Sequence, residues 1–357
     1  MPERRSRRVF LRSGLAAGLG LALGARHRPA HGSTAVTPDP RERRLRNLRQ
    51  LTAGGQNAEA YFDWIGTRLI FQSTRPPFAC DQIFTMNADG GEVRLVSTGR
   101  GRTTCGFFFP DGKRIIYAST HLADAACPPP PDRSAGYVWP LYRGYDIFAA
   151  DADGGNPTRL TDGDGYDAEG AVSPDGRSIV FTSVRDGDLE LYRMDADGAG
   201  VRRLTDRTGY DGGAFYSWDG RFIVYRAATP ADDAERDEYR ALLRQGLVRP
   251  RRLEIFVMRP DGSGVVQVTR NGAANFAPFM HPDSRRIVFS SNLHDPTGRS
   301  FALYLIGVDG TGLERITWAE PFASFPMFSR DGKHLVFSGN RNATGRDMNI
   351  FIADWAE

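Results

Sequence analysis

A turn repeated along the chain constrains its fold more than any other feature. Pro110-Asp111-Gly112, Pro174-Asp175-Gly176, Trp218-Asp219-Gly220, Pro282-Asp283-Ser284 and Arg330-Asp331-Gly332 share it, and Trp64-Ile65-Gly66 is a degenerate first copy. The third positions lie 46, 64, 44, 64 and 48 residues apart. The unit is therefore about 45 residues, and two copies carry insertions of about 20.

Each turn is followed by a short run of β-branched and aromatic residues. Examples are Ile179-Val180-Phe181 after the third turn and Ile287-Val288-Phe289 after the fifth. Their length and composition predict buried strands. A second run follows, such as Glu190-Leu191-Tyr192. Then comes an Asp-Gly pair, at Asp89-Gly90, Asp153-Gly154, Asp197-Gly198, Asp261-Gly262 and Asp309-Gly310. Asp-Gly suits the positive φ of tight hairpins. A third short strand ends in Leu-Thr or a variant, as at Leu160-Thr161, Leu204-Thr205, Val268-Thr269 and Ile316-Thr317. The stretch before the next turn supplies a fourth strand.

Four antiparallel strands per unit, six units in all, predict an all-β fold: a six-bladed β-propeller of four-stranded blades over residues 45–357. The last unit ends after its third strand. The missing strand is present at the other end, as Arg49-Gln50-Leu51-Thr52, so the N-terminal strand is expected to complete the last blade. The 40 glycines and 22 prolines are dispersed, as a turn-rich fold requires.

The repeated Pro-Asp-Gly turn, the Ile-Val-Phe strand and the Arg-Leu-Thr strand together resemble the TolB-type propellers built from the WD40-like Pro-Asp repeat. The resemblance covers about residues 45–357. TolB itself carries an α/β domain before its propeller, where only a spacer fits here, so the Tol-complex role is not implied. Peptidases that pair such a propeller with a hydrolase domain are also similar in the repeats, but Gly-x-Ser-x-Gly is absent from this sequence.

The whole-chain charge of +3 is misplaced. Arg4, Arg5, Arg7, Arg8 and Arg12 against Glu3 account for more than all of it, which leaves a near-neutral body and argues against a nucleic-acid partner. Arg7-Arg8-Val9-Phe10-Leu11 followed by the apolar run 14–24 reads as a twin-arginine-type signal peptide over residues 1–32. The expected location is the periplasm or outside the cell, with no membrane span after the leader is removed. Residues 33–44 are expected to be a flexible spacer, and the mature chain a monomer. Cys80, Cys105 and Cys127 fit no zinc pattern. They are buried or free thiols, or include one disulfide that an oxidising compartment permits.

The insertions, residues 121–144 and 228–252, belong to blades 2 and 4 and flank blade 3. They are expected to wall a binding face, with Trp139 among the exposed aromatics of the first. The second reads as a helix starting at Thr229-Pro230, with Tyr239, Leu242, Leu243 and Leu247 on its apolar side. The segments leading into the inner strands differ from blade to blade. If they ring the channel mouth, Glu59, Asp167, Glu169 and Asp211 converge there as hard oxygen ligands for a divalent cation such as calcium. The alternative is a hydrated polar channel. Tyr166 and Tyr210 are placed to stack on a sugar or peptide, beside Asp167 and Asp211, with His121 near the same rim. No nucleophile–base pair stands out, so catalytic residues are not assigned. Two functions follow. One is a recognition module for an envelope protein, peptide or glycan. The other, which the resemblance to propellers that degrade acidic oligosaccharides implies, is a metal-assisted lyase or hydrolase working at the channel mouth.

Overall fold

The computed structural model describes residues 32–134, 136–341, 343, 345 and 347–357. Apart from Gly32, the leader expected over residues 1–32 lies outside them. Five four-stranded antiparallel sheets and one five-stranded sheet form the six blades of a propeller. Their inner strands are Gln56–Phe62, Thr103–Phe108, Asp167–Val172, Tyr210–Tyr216, Asn275–Met280 and Ala323–Phe328, in blades 1 to 6. Blade 3 shows the pattern: Asp167–Val172, Ser178–Ser183, Glu190–Asp195 and Arg202–Arg203 pair in that order.

The three apolar residues of each second strand are fully sequestered, for example Leu69-Ile70-Phe71, Ile179-Val180-Phe181 and Leu335-Val336-Phe337. These runs do not alternate with polar residues because both faces of each blade are covered by its neighbours. The turns are held by their own side chains. The Ser173 hydroxyl donates to Asp175 (2.6 Å) and accepts the Ser178 N–H (3.0 Å). Ser217 and Ser329 repeat this arrangement. His281, in the serine place of blade 5, accepts the Asp283 N–H through Nδ1 instead.

The Leu-Thr motif has a matching explanation. In every blade its hydroxyl accepts the backbone N–H at the second residue of the third strand: Ser97 from Ile83, Thr161 from Ile147, Thr205 from Leu191, Thr269 from Ile255, Thr317 from Leu303 and Thr52 from Ile350. The Asp-Gly hairpins press on the preceding blade. At Gly198, with φ +90°, a Cβ would lie 2.6 Å from the Leu160 carbonyl oxygen. Only glycine satisfies both the conformation and the approach.

Ring closure is as expected. Leu45–Gln50 pairs antiparallel with Asn349–Trp355 and completes blade 6. The expected flexible spacer is corrected. Thr34–Ala35 adds a fifth strand to that blade, and the Glu42 carboxylate is buried against Arg341, which also binds Glu320. A buried guanidinium needs carboxylate partners, and this is what holds the segment down. Among the described residues no helix is long and apolar enough to cross a membrane.

Candidate functional site

Every inner strand breaks its alternation at the same place. The register slips between Ala58 and Tyr61, Thr104 and Phe107, Ala168 and Ala171, Gly212 and Phe215, Phe276 and Phe279, and Ser324 and Met327. Each slip contains a residue of positive φ: Glu59, Cys105, Glu169, Gly213, Ala277 or Phe325. These are β-bulges, which re-aim a side chain without ending the strand. All six residues line one cavity of about 810 Å³ at the channel mouth.

Below this ring the channel is closed, so the hydrated polar channel is corrected. Tyr61 of blade 1 meets Phe215 of the opposite blade 4 with centroids 5.1 Å apart, and Phe107 and Phe279 pack against Phe215. A layer further down, Trp64 and Trp218 join the same opposite blades at 4.8 Å. The cavity therefore has an aromatic floor.

Its roof is built by the two insertions together. Trp139–Pro140 pairs antiparallel with Leu247–Val248, a bridge from blade 2 to blade 4 past blade 3. The second insertion contains a helix, Asp233–Arg244. It starts later than Thr229-Pro230, because extended Asp232 caps it by accepting the Glu235 N–H. Tyr239 and Leu243 pack inward, and the Tyr239 hydroxyl bridges Asp188 and the Gly209 carbonyl oxygen. A disulfide, Cys80–Cys127, ties the proline-rich insertion to blade 1, while Cys105 stays a free thiol lining the cavity.

The walls are of two kinds. On the blade 5 and 6 side, Phe276 touches Phe301, Phe322 and Phe325, at 5.2, 6.3 and 5.8 Å. On the other side stands a polar network. Glu169 is ion-paired with buried Arg226 and accepts from the Thr182 hydroxyl (2.7 Å), the Gly213 N–H (2.9 Å) and the Tyr210 hydroxyl (3.3 Å). The Arg226 guanidinium also donates to Tyr210 and lies 5.2 Å from the Trp139 ring. It occupies the space a side chain at Gly213 would need: a Cβ there would be 2.0 Å from Arg226 Nη1. Glu59 differs. Burial, reinforced by the nearby Glu169 carboxylate, pushes its carboxyl up to about 7.

The four expected carboxylate ligands do not converge. Glu59 and Glu169 share the cavity. Asp167 instead pairs with Arg185 at 3.1 Å, and Asp211 lies buried beside Arg207 and Glu190. The left-handed bulge residue rotates the strand, so the residue two places earlier faces the seam between blades and not the channel. Asn57 and Asn275 occupy the same seam position in other blades and bond to Ser73 and Ser291. Among the described residues no group of three or more His, Cys, Asp or Glu side chains is arranged to hold a metal ion. His121 also lies away from the cavity, hydrogen-bonded to Ser119 and packed on Phe148 at 4.4 Å. Trp139 and Tyr166 line the cavity, and Tyr210 stands behind it in the Arg226 network. Sequence reasoning missed Cys105, Arg226 and the phenylalanine wall. The repeat alignment alone, which puts Cys105 in the Glu59 column, holds the signal for the first.

A family described as the TolB β-propeller domain matches residues 142–235. The structure of TolB from Acinetobacter baumannii superposes with a TM-score of 0.57 at 20% identity, over 82% of this chain and 65% of that one. The chain carries a six-bladed β-propeller that is similar in fold to the TolB propellers. The chain is also 29% identical, over 120 residues, to the uncharacterized protein Atu1656 of Agrobacterium fabrum. That match spans about a third of the length of each, 34% of both chains. An oligogalacturonate lyase in complex with manganese shares the fold at a TM-score of 0.52 and 14% identity, over 91% of this chain and 97% of the lyase.

Proposed function

We propose that this propeller is a recognition module of the cell envelope, exported by its twin-arginine-type leader, that binds a compact ligand or a protruding peptide or glycan element in the mouth cavity. One observation carries this reading. Two insertions on non-adjacent blades pair with each other to roof a cavity whose floor and one wall are aromatic. A roofed apolar cavity with a few placed polar groups is the usual form of a ligand site.

The test is a thermal-shift screen of peptides, oligosaccharides and small amphiphiles on the wild-type chain and the Trp139→Ala variant. Compounds that raise the melting temperature of the wild type but not of the variant support the reading. A screen with no hits, or hits that stabilise both proteins equally, overturns it. A second reading, an enzyme with its centre in the same cavity, rests on Glu59. A carboxyl held near neutrality is poised to exchange protons with a substrate. Tyr166 and Tyr210 are weaker candidates, because burial raises both hydroxyls well above their ordinary range. Turnover that falls on Glu59→Gln with binding retained would select this reading.

A further inference from the structure

Glu59 is the one carboxyl of the cavity floor without a cationic partner. Its counterpart Glu169 is neutralised by Arg226, and at the rim Asp81 pairs with Arg102 at 3.3 Å. Among the described residues no arginine, lysine or histidine pairs with Glu59. The groups facing it are the Cys105 thiol, the Tyr61 hydroxyl, the Glu169 and Asp81 carboxylates, and Arg226 beyond Glu169. Glu59, on blade 1, shares the cavity with an apolar wall on blades 5 and 6, formed by Phe276, Phe301, Phe322 and Phe325, with Arg299 also in the cavity lining. The cavity rings already attract cations supplied by the protein itself. Arg226 lies over Trp139 and Arg102 lies 5.7 Å from the centre of Tyr142. The electron-rich faces of such rings favour cations, most strongly where water is excluded.

We propose, resting on the cavity being a ligand site, that it takes an amphiphilic organic cation: an apolar or aromatic body on the phenylalanine wall and an ammonium or guanidinium group on Glu59. An anion seated at Glu59 would meet a carboxylate that no cation pairs. A wholly apolar ligand would leave Glu59 with the Cys105 thiol as a hydrogen-bond partner and no countercharge. A cation resolves both. It supplies the missing partner, and the surrounding rings add to the attraction.

The proposal has a proton signature. The free carboxyl is protonated over about half the population near pH 7. A bound cation requires the carboxylate, so binding releases a proton to solvent. Affinity should rise about tenfold between pH 6 and pH 8 and then level off until the ligand itself loses its proton.

Titration calorimetry on the full chain tests this with three probes that share one ring system: tryptamine, tryptophol and indole-3-propionate. Tryptamine is expected to bind at least about tenfold more tightly than the other two, to tighten about tenfold from pH 6 to pH 8, and to show a buffer-dependent enthalpy from proton release. Glu59→Gln keeps the side-chain shape and should reduce tryptamine to the level of tryptophol. A preference for indole-3-propionate, or unchanged tryptamine affinity in Glu59→Gln, overturns the proposal. If tryptophol binds as well as tryptamine and Trp139→Ala abolishes both, the charge assignment fails and the cavity reading survives. If none of the probes binds, the cation proposal falls, and the cavity reading is decided by whether any screening hit depends on Trp139.

Discussion

Thr161 shows how one side chain can account for a repeated motif. Its hydroxyl accepts the Ile147 N–H at 2.9 Å and donates to Asp146 at 3.2 Å. Thr161→Val keeps the shape but leaves a backbone donor unpaired inside the blade. We expect a loss of about 1–3 kcal/mol in denaturant unfolding. Asp211 gives a prediction of a different kind. Burial pushes its carboxyl up to about 8, and a neighbouring Glu190 carboxyl shares the seam with it. Because the folded state holds this proton more tightly than the unfolded chain, the stabilisation is complete below about pH 4 and is lost as pH rises through about 8. Asp211→Asn keeps a neutral side chain at every pH. It should melt near the wild type at pH 5 and above it at pH 8.5, and an identical pH dependence in the two proteins would refute this. The sequence showed the motif residues because they recur in register. It did not show that Asp211 faces a seam, because that depends on a left-handed residue two places later in the strand. Nothing in Gly213 or Glu169 as letters signals positive φ in both.

At the scale of elements, the strands were legible and their aim was not. Runs such as Ile179-Val180-Phe181 declare buried strands by composition. The pairing of Trp139–Pro140 with Leu247–Val248 joins segments more than 100 residues apart, two residues on each side, and no local pattern encodes it. The helix Asp233–Arg244 was visible, but its start depended on which acidic residue caps it. The disulfide gives this level its prediction. Cys80 and Cys127 are separated by 47 residues, and closing a loop of that size stabilises by up to about 4 kcal/mol in the chain-entropy account. A reducing agent should lower the melting temperature of the wild type to that of Cys127→Ser and leave the variant unchanged. The proline-rich roof should loosen with it, seen as faster proteolysis within residues 121–144.

For the whole molecule the decisive joint is the one that closes the ring. Leu45, Leu48 and Leu51 are buried in blade 6, and Glu42 partners Arg341 deep beside them. Glu42→Ala leaves Arg341 buried with one carboxylate in place of two, and we expect a cost of about 3–5 kcal/mol in unfolding experiments. Removing the chain up to Thr52 exposes the edge of Asn349–Trp355 and should abolish a single cooperative melt. The propeller, its blade count and this closure all followed from spacing, because a repeat states its own architecture. The candidate site did not, because it lies in what distinguishes one blade from another.

That difference has a consequence of its own. The six bulges give every blade one position released from the alternation of its strand, and the chain has filled them with Glu, Cys, Glu, Gly, Ala and Phe. Because each bulge frees its residue from the alternation that fixes its neighbours, the cavity floor works as a keypad of six keys on an unchanging frame. Outside Gly213, where Arg226 fills the space, ligand preference can drift one key at a time, by single substitutions that leave the propeller standing. Relatives with the same blades would then answer to quite different molecules.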